Sequence, residues 1–206
     1  MSLSTYTELK SDIADWINRD DLTARIPDFI RLAEAEFNDE LRHWRMEKRA
    51  ETTLDGRFIA LPTDWQETTR FRLNVAGKSK LEFISLDEME DKREKANDSA
   101  GTPEYFTYNA GQIELFPTPD GSYSATLGYY AQIDNLSAST ATNWLLDNYP
   151  NVYLYGALTH TAPFLKEDER IQVWAAMYQA ATNRLNKGSK RATTSASGLK
   201  MNIKSY

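Results

Sequence analysis

Few residues in this chain have the types and spacing that could do chemistry. Gly77-Lys78-Ser79 matches the end of a phosphate-binding loop, GxxxxGK[ST], in which backbone amides and a lysine cradle phosphate. The first glycine of that pattern would fall at Arg72, and the segment lies between two strand-like runs with no helix after it, so the reading is set aside. The chain has no cysteine, which removes thiolate nucleophiles, disulfides and thiolate metal sites. His43 and His160 stand 117 positions apart, with no HExxH, GxSxG or GxGxxG pattern to recruit them. His160 reads as a polar packing residue on a helix face and His43 as a solvated one. Asp87, Glu88, Glu90 and Asp91 lack the turn-forming glycine of a calcium loop and are followed by bases, as on a salt-bridged helix surface. Catalytic, cofactor-binding and metal-binding residues are therefore all expected to be absent.

Two chemical alternatives stay open. Among 30 acidic residues some pair must lie within acid-base distance, so a cell-wall glycosidase using two unassigned carboxylates is one. Tyr105, Tyr108, Tyr123, Tyr129 and Tyr130 fall in the sheet-like third of the chain and could form a sugar-binding platform, although such residues commonly pack across strands. Glycan binding would point to the second, and peptidoglycan hydrolysis lost at a single Asp or Glu to the first.

The elements that must position any site read as follows. Thr5 to Glu8 forms a capping box opening a first helix, with Tyr6, Leu9, Ile13, Trp16 and Ile17 on one stripe and an end near Arg19. A second helix starts about Pro27 with the stripe Ile26, Ile30, Ala33, Phe37, Leu41 and Trp44. From about residue 49 the period falls to two, predicting strands around Phe58 to Ala60 and a hairpin over Arg70 to Ser85 that turns at residues 76–79 and returns through Leu81 and Phe83. A short helix, Asp87 to Lys95, a polar loop, Asn97 to Thr102, a hairpin Tyr105 to Phe116 turning at Ala110-Gly111, and a long strand Ser122 to Ile133 follow. Helical spacing returns at Trp144 and at Pro150, the latter helix burying Tyr153, Leu154, Ala157 and Leu158. The last helix is expected over Glu167 to Lys187, burying Ile171, Trp174, Ala175, Tyr178 and Leu185, with Gly188 as its stop.

The predicted fold class is α+β: a helical bundle built from N- and C-terminal helices, with an inserted antiparallel β-sheet module and an extended C-terminal tail. The expected divisions are 1–48, 49–136, 137–188 and 189–206. No run of 18 apolar residues and no leader-like N-terminus are found, so a soluble, unprocessed protein with no membrane association is expected.

Charge is divided unevenly. The first 169 residues hold 17 basic and 30 acidic residues, net -13, while the last 37 hold seven basic and no acidic residues. Body and tail thus carry opposite signs, which suits a tail that docks on an acidic neighbour. Fully extended, the 18 residues from Ser189 reach about 60 Å. The expected interface residues are Lys187, Lys190, Arg191, Lys200, Met201, Ile203, Lys204 and Tyr206, the apolar ones alternating well enough to add to a strand edge.

Taken in order, Asp21 to Arg42 (DLTARIPDFIRLAEAEFNDELR), Leu61 to Asp64, QIELFPTPDGSY, Asn143 to Leu158 (NWLLDNYPNVYLYGAL) and Ala162 to Ala181 resemble the head-to-tail adaptor proteins of short-tailed bacteriophages. The likeness spans residues 5 to 185. It implies a non-enzymatic subunit of a homo-oligomeric ring, typically a dodecamer, made in the host cytoplasm and placed in the virion at the head-to-tail interface. Such a ring binds beneath the portal protein, closes the DNA-filled head, carries the tail nozzle or tail fibre proteins, and lets double-stranded DNA pass without sequence-specific binding. It also implies that no catalytic residues and no cofactor are to be carried over. Another head-completion or connector protein is the near alternative. The net negative charge fits a wall along which DNA slides without sticking.

Overall fold

The computed structural model describes residues 3–75, 80–165 and 169–194. The chain divides into two compact units, one formed by Met1–Met46 with Ile133–Tyr206 and the other by Glu47–Gln132.

The first unit is helical. Helix α1 (Tyr6–Ile17) opens on the capping box, with the Glu8 amide donating to Thr5 Oγ1 at 3.3 Å and the Thr5 amide to Glu8 Oε2 at 3.1 Å, and it ends on Asn18 in the left-handed region. A 3₁₀ turn, Asp20–Arg25, leads into α2 (Ile26–Glu40), whose Pro27 sits in the first turn. Ile26, Ile30, Ala33, Phe37 and Leu41 are buried as one stripe, but Trp44 is 44% exposed. The helix stops at Glu40 and Leu41 is extended, so the helical period no longer places Trp44; Met46, at the end of the next 3₁₀ turn, is buried instead. Helices α4 (Trp144–Asn148) and α5 (Pro150–Thr159) follow, and α5 buries Tyr153, Leu154, Ala157 and Leu158.

The last helix, α6 (Arg170–Thr194), differs from expectation. It runs through Gly188 rather than stopping there. A glycine stop needs a left-handed residue, which Gly188 is not, and the next residue, Ser189, is buried with its Oγ accepting from the Trp44 amide at 2.9 Å. That contact holds the chain helical past the glycine. Residues 189–194 are therefore helix rather than extended tail, and 195–206 lie outside the described residues.

The second unit is built on sheets. Strand β9 (Tyr123–Ala131) runs between β1 (Glu47–Leu54) and β3 (Trp65–Leu73), antiparallel to both. A four-stranded sheet has the order β2 (Phe58–Ala60), β7 (Gln112–Phe116), β6 (Tyr105–Asn109), β4 (Glu82–Phe83). The β6–β7 hairpin turns at Ala110 and Gly111, both with positive φ, the backbone that a tight two-residue hairpin turn requires. The hairpin predicted over Arg70 to Ser85 is only begun: Lys80 bridges to Arg72 and the Leu81 amide donates to the Phe71 carbonyl. Leu81 then enters the core, and β4 departs to pair parallel with β6. The turn at 76–79 lies outside the described residues. Helix α3 (Leu86–Lys95) is capped by Ser85 and carries the expected Glu88–Lys92 and Asp91–Lys95 pairs. The polar loop and the turn each hold a two-residue strand, β5 (Ala100–Gly101) and β8 (Thr118–Pro119), which pair in parallel. Leu54, Phe71, Leu81, Phe106, Leu115 and Leu127 belong to a single core cluster of this unit.

Candidate interface on the C-terminal helix

Helix α6 has 25 residues, about 37 Å at 1.5 Å per residue. One side is seated on the bundle: Trp174, Tyr178, Ala181, Leu185 and Ser189 are buried, at the three- and four-residue steps of one helix face. Ile171 and Ala175, expected on that face, are only half-buried at its edge. The Tyr178 hydroxyl donates to Glu40 Oε2 at 3.2 Å, and burial with the charges of Glu36 and Glu40 pushes its pKa well up, so it stays a donor. Thr182 donates back to the Tyr178 carbonyl.

The adjoining flank is exposed. Val173 and Met177 are 51% and 41% exposed, and from about two turns later the flank becomes basic at Arg184, Lys187 and Arg191. The basic half borders a groove of about 570 Å³ at Lys187, Gly188 and Arg191. Cations near a helix C-terminus are favoured by the partial negative charge of its last carbonyls. Of the interface residues expected from sequence, Lys187, Lys190 and Arg191 thus fall together on the last turns of one helix, on regular rather than extended backbone. Lys200, Met201, Ile203, Lys204 and Tyr206 lie outside the described residues. Sequence reasoning missed Val173 and Met177 as exposed apolar groups; their four-residue spacing, offset by one from Trp174 and Tyr178, was the available signal.

Several buried polar groups are tied into each unit. Glu34, 4% exposed, accepts through Oε1 from the Leu136 amide at 2.6 Å and the Tyr153 hydroxyl at 3.2 Å. Asn143 donates to Tyr153 Oη at 2.6 Å and to the Asp134 carbonyl at 2.7 Å, and its own Oδ1 caps α4. Burial raises the Glu34 pKa in spite of these bonds. The group clamps the 133–143 segment to the bundle. His43, expected to be solvated, is 1% exposed: its ring stacks on Trp144 at 5.2 Å, and Nδ1 accepts from the Arg45 amide at 3.2 Å. Burial and the Arg45 charge lower its pKa, which keeps it neutral. His160 packs as a polar residue, 3.0 Å from Glu36 Oε2.

In the sheet unit, Glu114 is 2% exposed and accepts from Arg57, Arg93 and Asn109, while Arg93 also bonds Asp98 and the Leu115 carbonyl. Burial raises the Glu114 pKa, and the Asn109 and Arg57 hydrogen bonds with the two positive charges outweigh it, leaving a net lowering. Asp64 accepts from Lys48 at 2.7 Å and Tyr129 at 2.9 Å. Burial and the Asp64 contact push the Tyr129 pKa up to about 12. The tyrosines do not form one platform. Tyr105 and Tyr108 belong to the four-stranded sheet, where Tyr108 packs on Trp65 and Phe83, and Tyr123, Tyr129 and Tyr130 belong to β9. Among the described residues, no group of three or more His, Asp or Glu could hold a metal ion, and no helix is long and apolar enough to cross a membrane.

The described residues thus form a helical bundle and an inserted sheet module, with much of their buried polar chemistry bonded internally and one flank of the long helix α6 exposed, the make-up of a structural protein. The chain belongs to the SU10 adaptor protein family, whose model matches residues 4–200. It is a phage head-to-tail adaptor and not an enzyme. No curated protein matches it.

Proposed function

We propose that this chain is one subunit of a homo-oligomeric ring, a dodecamer, that binds beneath the portal protein at the head-to-tail interface of the virion. The ring closes the DNA-filled head, forms a platform for the tail nozzle or tail fibre proteins, and leaves a channel through which double-stranded DNA passes without sequence-specific binding. The observation that carries this reading is the division of charge. In a chain whose first 169 residues are net -13, helix α6 follows with an exposed basic flank, and no acidic residue occurs in the sequence after Glu169. Such a polypeptide repels its like through its body and attracts it through its end, so that copies join in sequence once they are gathered at one place.

The test is to mix the purified protein with its cognate portal and count subunits by native mass spectrometry. A discrete complex carrying twelve copies is expected, and absence of portal binding overturns the reading. The role of Lys200, Met201, Ile203, Lys204 and Tyr206 is tested by ending the chain after Thr194. The bundle should keep its fold while ring growth on portal stops short; complete rings from the shortened protein would remove the tail from the proposal.

A further inference from the structure

Helices α2 and α6 each expose a stripe with the same spacing. On α6 the positions are Val173, Met177, Ala180, Arg184, Lys187 and Arg191, in steps of four, three, four, three and four. On α2 they are Asp28, Leu32, Ala35 and Asp39, in steps of four, three and four. Alternating steps of three and four keep residues in line along a helix and are the pattern by which two helices seat side by side. Leu32, Val173 and Met177 are 53%, 51% and 41% exposed, so both stripes have large apolar groups in water. Ala35 and Ala180, both exposed, are small enough to let two backbones approach.

The stripes complement one another in charge. That of α6 is apolar and then basic, with no carboxylate. That of α2 is apolar in the middle with an aspartate at each end; Arg31 and Glu36 flank it on opposite sides. With Leu32 and Ala35 laid on Met177 and Ala180, a parallel arrangement brings Asp39 to Arg184, and an antiparallel one brings Asp28 to Arg184. Either direction therefore pairs a carboxylate with that guanidinium. A twofold contact of the α6 stripe with itself would place arginine and lysine among arginine and lysine, which repels.

We infer that the exposed stripe of α2 on one copy is the seat for the α6 stripe of the next copy, an inference that rests on the ring reading above. The contact joins two different surfaces of the same chain, so each copy has one of each to offer, and repetition generates a ring when the rotation per step closes. It accounts for the exposed apolar groups at Leu32, Val173 and Met177 with one interface.

The chain has no cysteine, so introduced pairs can be read without background. A Leu32→Cys chain mixed with a Met177→Cys chain on cognate portal, and treated with a short bismaleimide, should give cross-linked dimers. Either variant alone should not, and a chain with both changes should give a ladder. In parallel, Arg184→Glu with Lys187→Glu should raise the protein concentration needed for ring formation by about tenfold or more, and Asp28→Lys with Asp39→Lys in the same chain should restore it. All six positions are on exposed helix faces, and a thermal melt verifies that each variant is folded. Rings that assemble on portal without a 32–177 cross-link, and that ignore the charge reversal, overturn this inference while leaving the ring intact. Failure of the unmodified protein to assemble on portal takes down the ring reading itself.

Discussion

Gly156, in the interior of α5, gives a direct test of the bundle core. A methyl group added there would lie 2.7 Å from Phe37 Cε1, 2.8 Å from Phe37 Cζ and 3.4 Å from Tyr178 Cε2. Carbon atoms rest about 3.5–4.0 Å apart, so the Phe37 ring would have to retreat by about 1 Å. It has little room to do so. Phe37 is fully buried, its ring edge-on to Tyr153 at 5.1 Å, and Tyr153 is held by Asn143 and Glu34. Overpacking costs about 1–3 kcal/mol and falls in the upper half of that range, about 2–3 kcal/mol, where the ring has little room to move, whereas replacing glycine by alanine inside a helix returns about 1 kcal/mol. Gly156→Ala should therefore destabilise the bundle by about 1–2 kcal/mol, read as a lower urea midpoint by tryptophan emission. Leucine at position 37 has no atoms where Cε1 and Cζ stood, so the cost of Gly156→Ala should largely vanish in a Phe37→Leu background, a coupling of about 1 kcal/mol. A Gly156→Ala protein as stable as the parent, or more stable, would refute the packing of α5 on α2 described above.

Other outcomes follow from the buried charges and from the flank of α6. Burial raises the Glu34 pKa, so its contribution is greatest where it is protonated and is lost as pH rises through the folded-state value. Glu34→Gln should therefore gain on the parent as pH rises above the ordinary carboxylate range, and a difference in urea midpoint that does not change with pH would contradict this. Glu114 has the opposite sign: its lowered pKa gives stability that is present above the ordinary carboxylate range and lost as pH falls through the folded-state value. Glu114→Ala should cost about 3 kcal/mol, because it leaves the Arg93 guanidinium buried with fewer partners, and a loss under about 1 kcal/mol in denaturant titration would remove that pair from the account of the sheet unit. Ring assembly on portal should weaken as salt rises from about 0.05 to about 0.5 M, since exposed charges are screened beyond a few ångströms, while the apolar contacts persist; salt-independent assembly in light scattering would deny the charged contact a role.

Much of the helical unit was legible because its signals are local. The Thr5–Glu8 capping box, Pro27 in a first turn, and the Ile26 to Leu41 stripe each depend on neighbours within a few residues, and each is found in place. The misreadings occur where a distant contact decides. Gly188 reads as a stop until Trp44, 145 residues away, donates to Ser189. His43 reads as solvated until Trp144 is laid over it. Strand β1, EKRAETTL, carries only Ala50 and Leu54 as apolar residues, and it exists because β9 offers it a full antiparallel ladder. Strand β4 is two residues long and pairs in parallel with β6, which lies outside the predicted hairpin. The basic residues of the proposed interface were visible as composition; their alignment with Val173 and Met177 on one helix flank was not, since it depends on which side of α6 is buried.

That dependence also bears on what the acidic residues do among the described residues. Three carboxylates are held by fixed donors: Glu34 by a backbone amide and a tyrosine, Glu114 by two arginines and an asparagine, and the half-buried Asp64 by a lysine and a tyrosine. A general acid or base must exchange its proton with a substrate, and a carboxylate whose oxygens already hold two or three donors inside the protein does so only by breaking the contacts that hold the fold. Two of the remaining acidic groups on α2, Asp28 and Asp39, stand on the same exposed face as Leu32, where what they can do is repel a like surface or receive a basic one. The basic half of α6 is the only stretch of the described chain beyond Glu169 that can answer them, and it carries no acid to oppose the match. Interior anchors and a pair of exposed outer stripes are thus two consequences of one allocation of charge, and on the proposed ring contact the second is what another copy would complete.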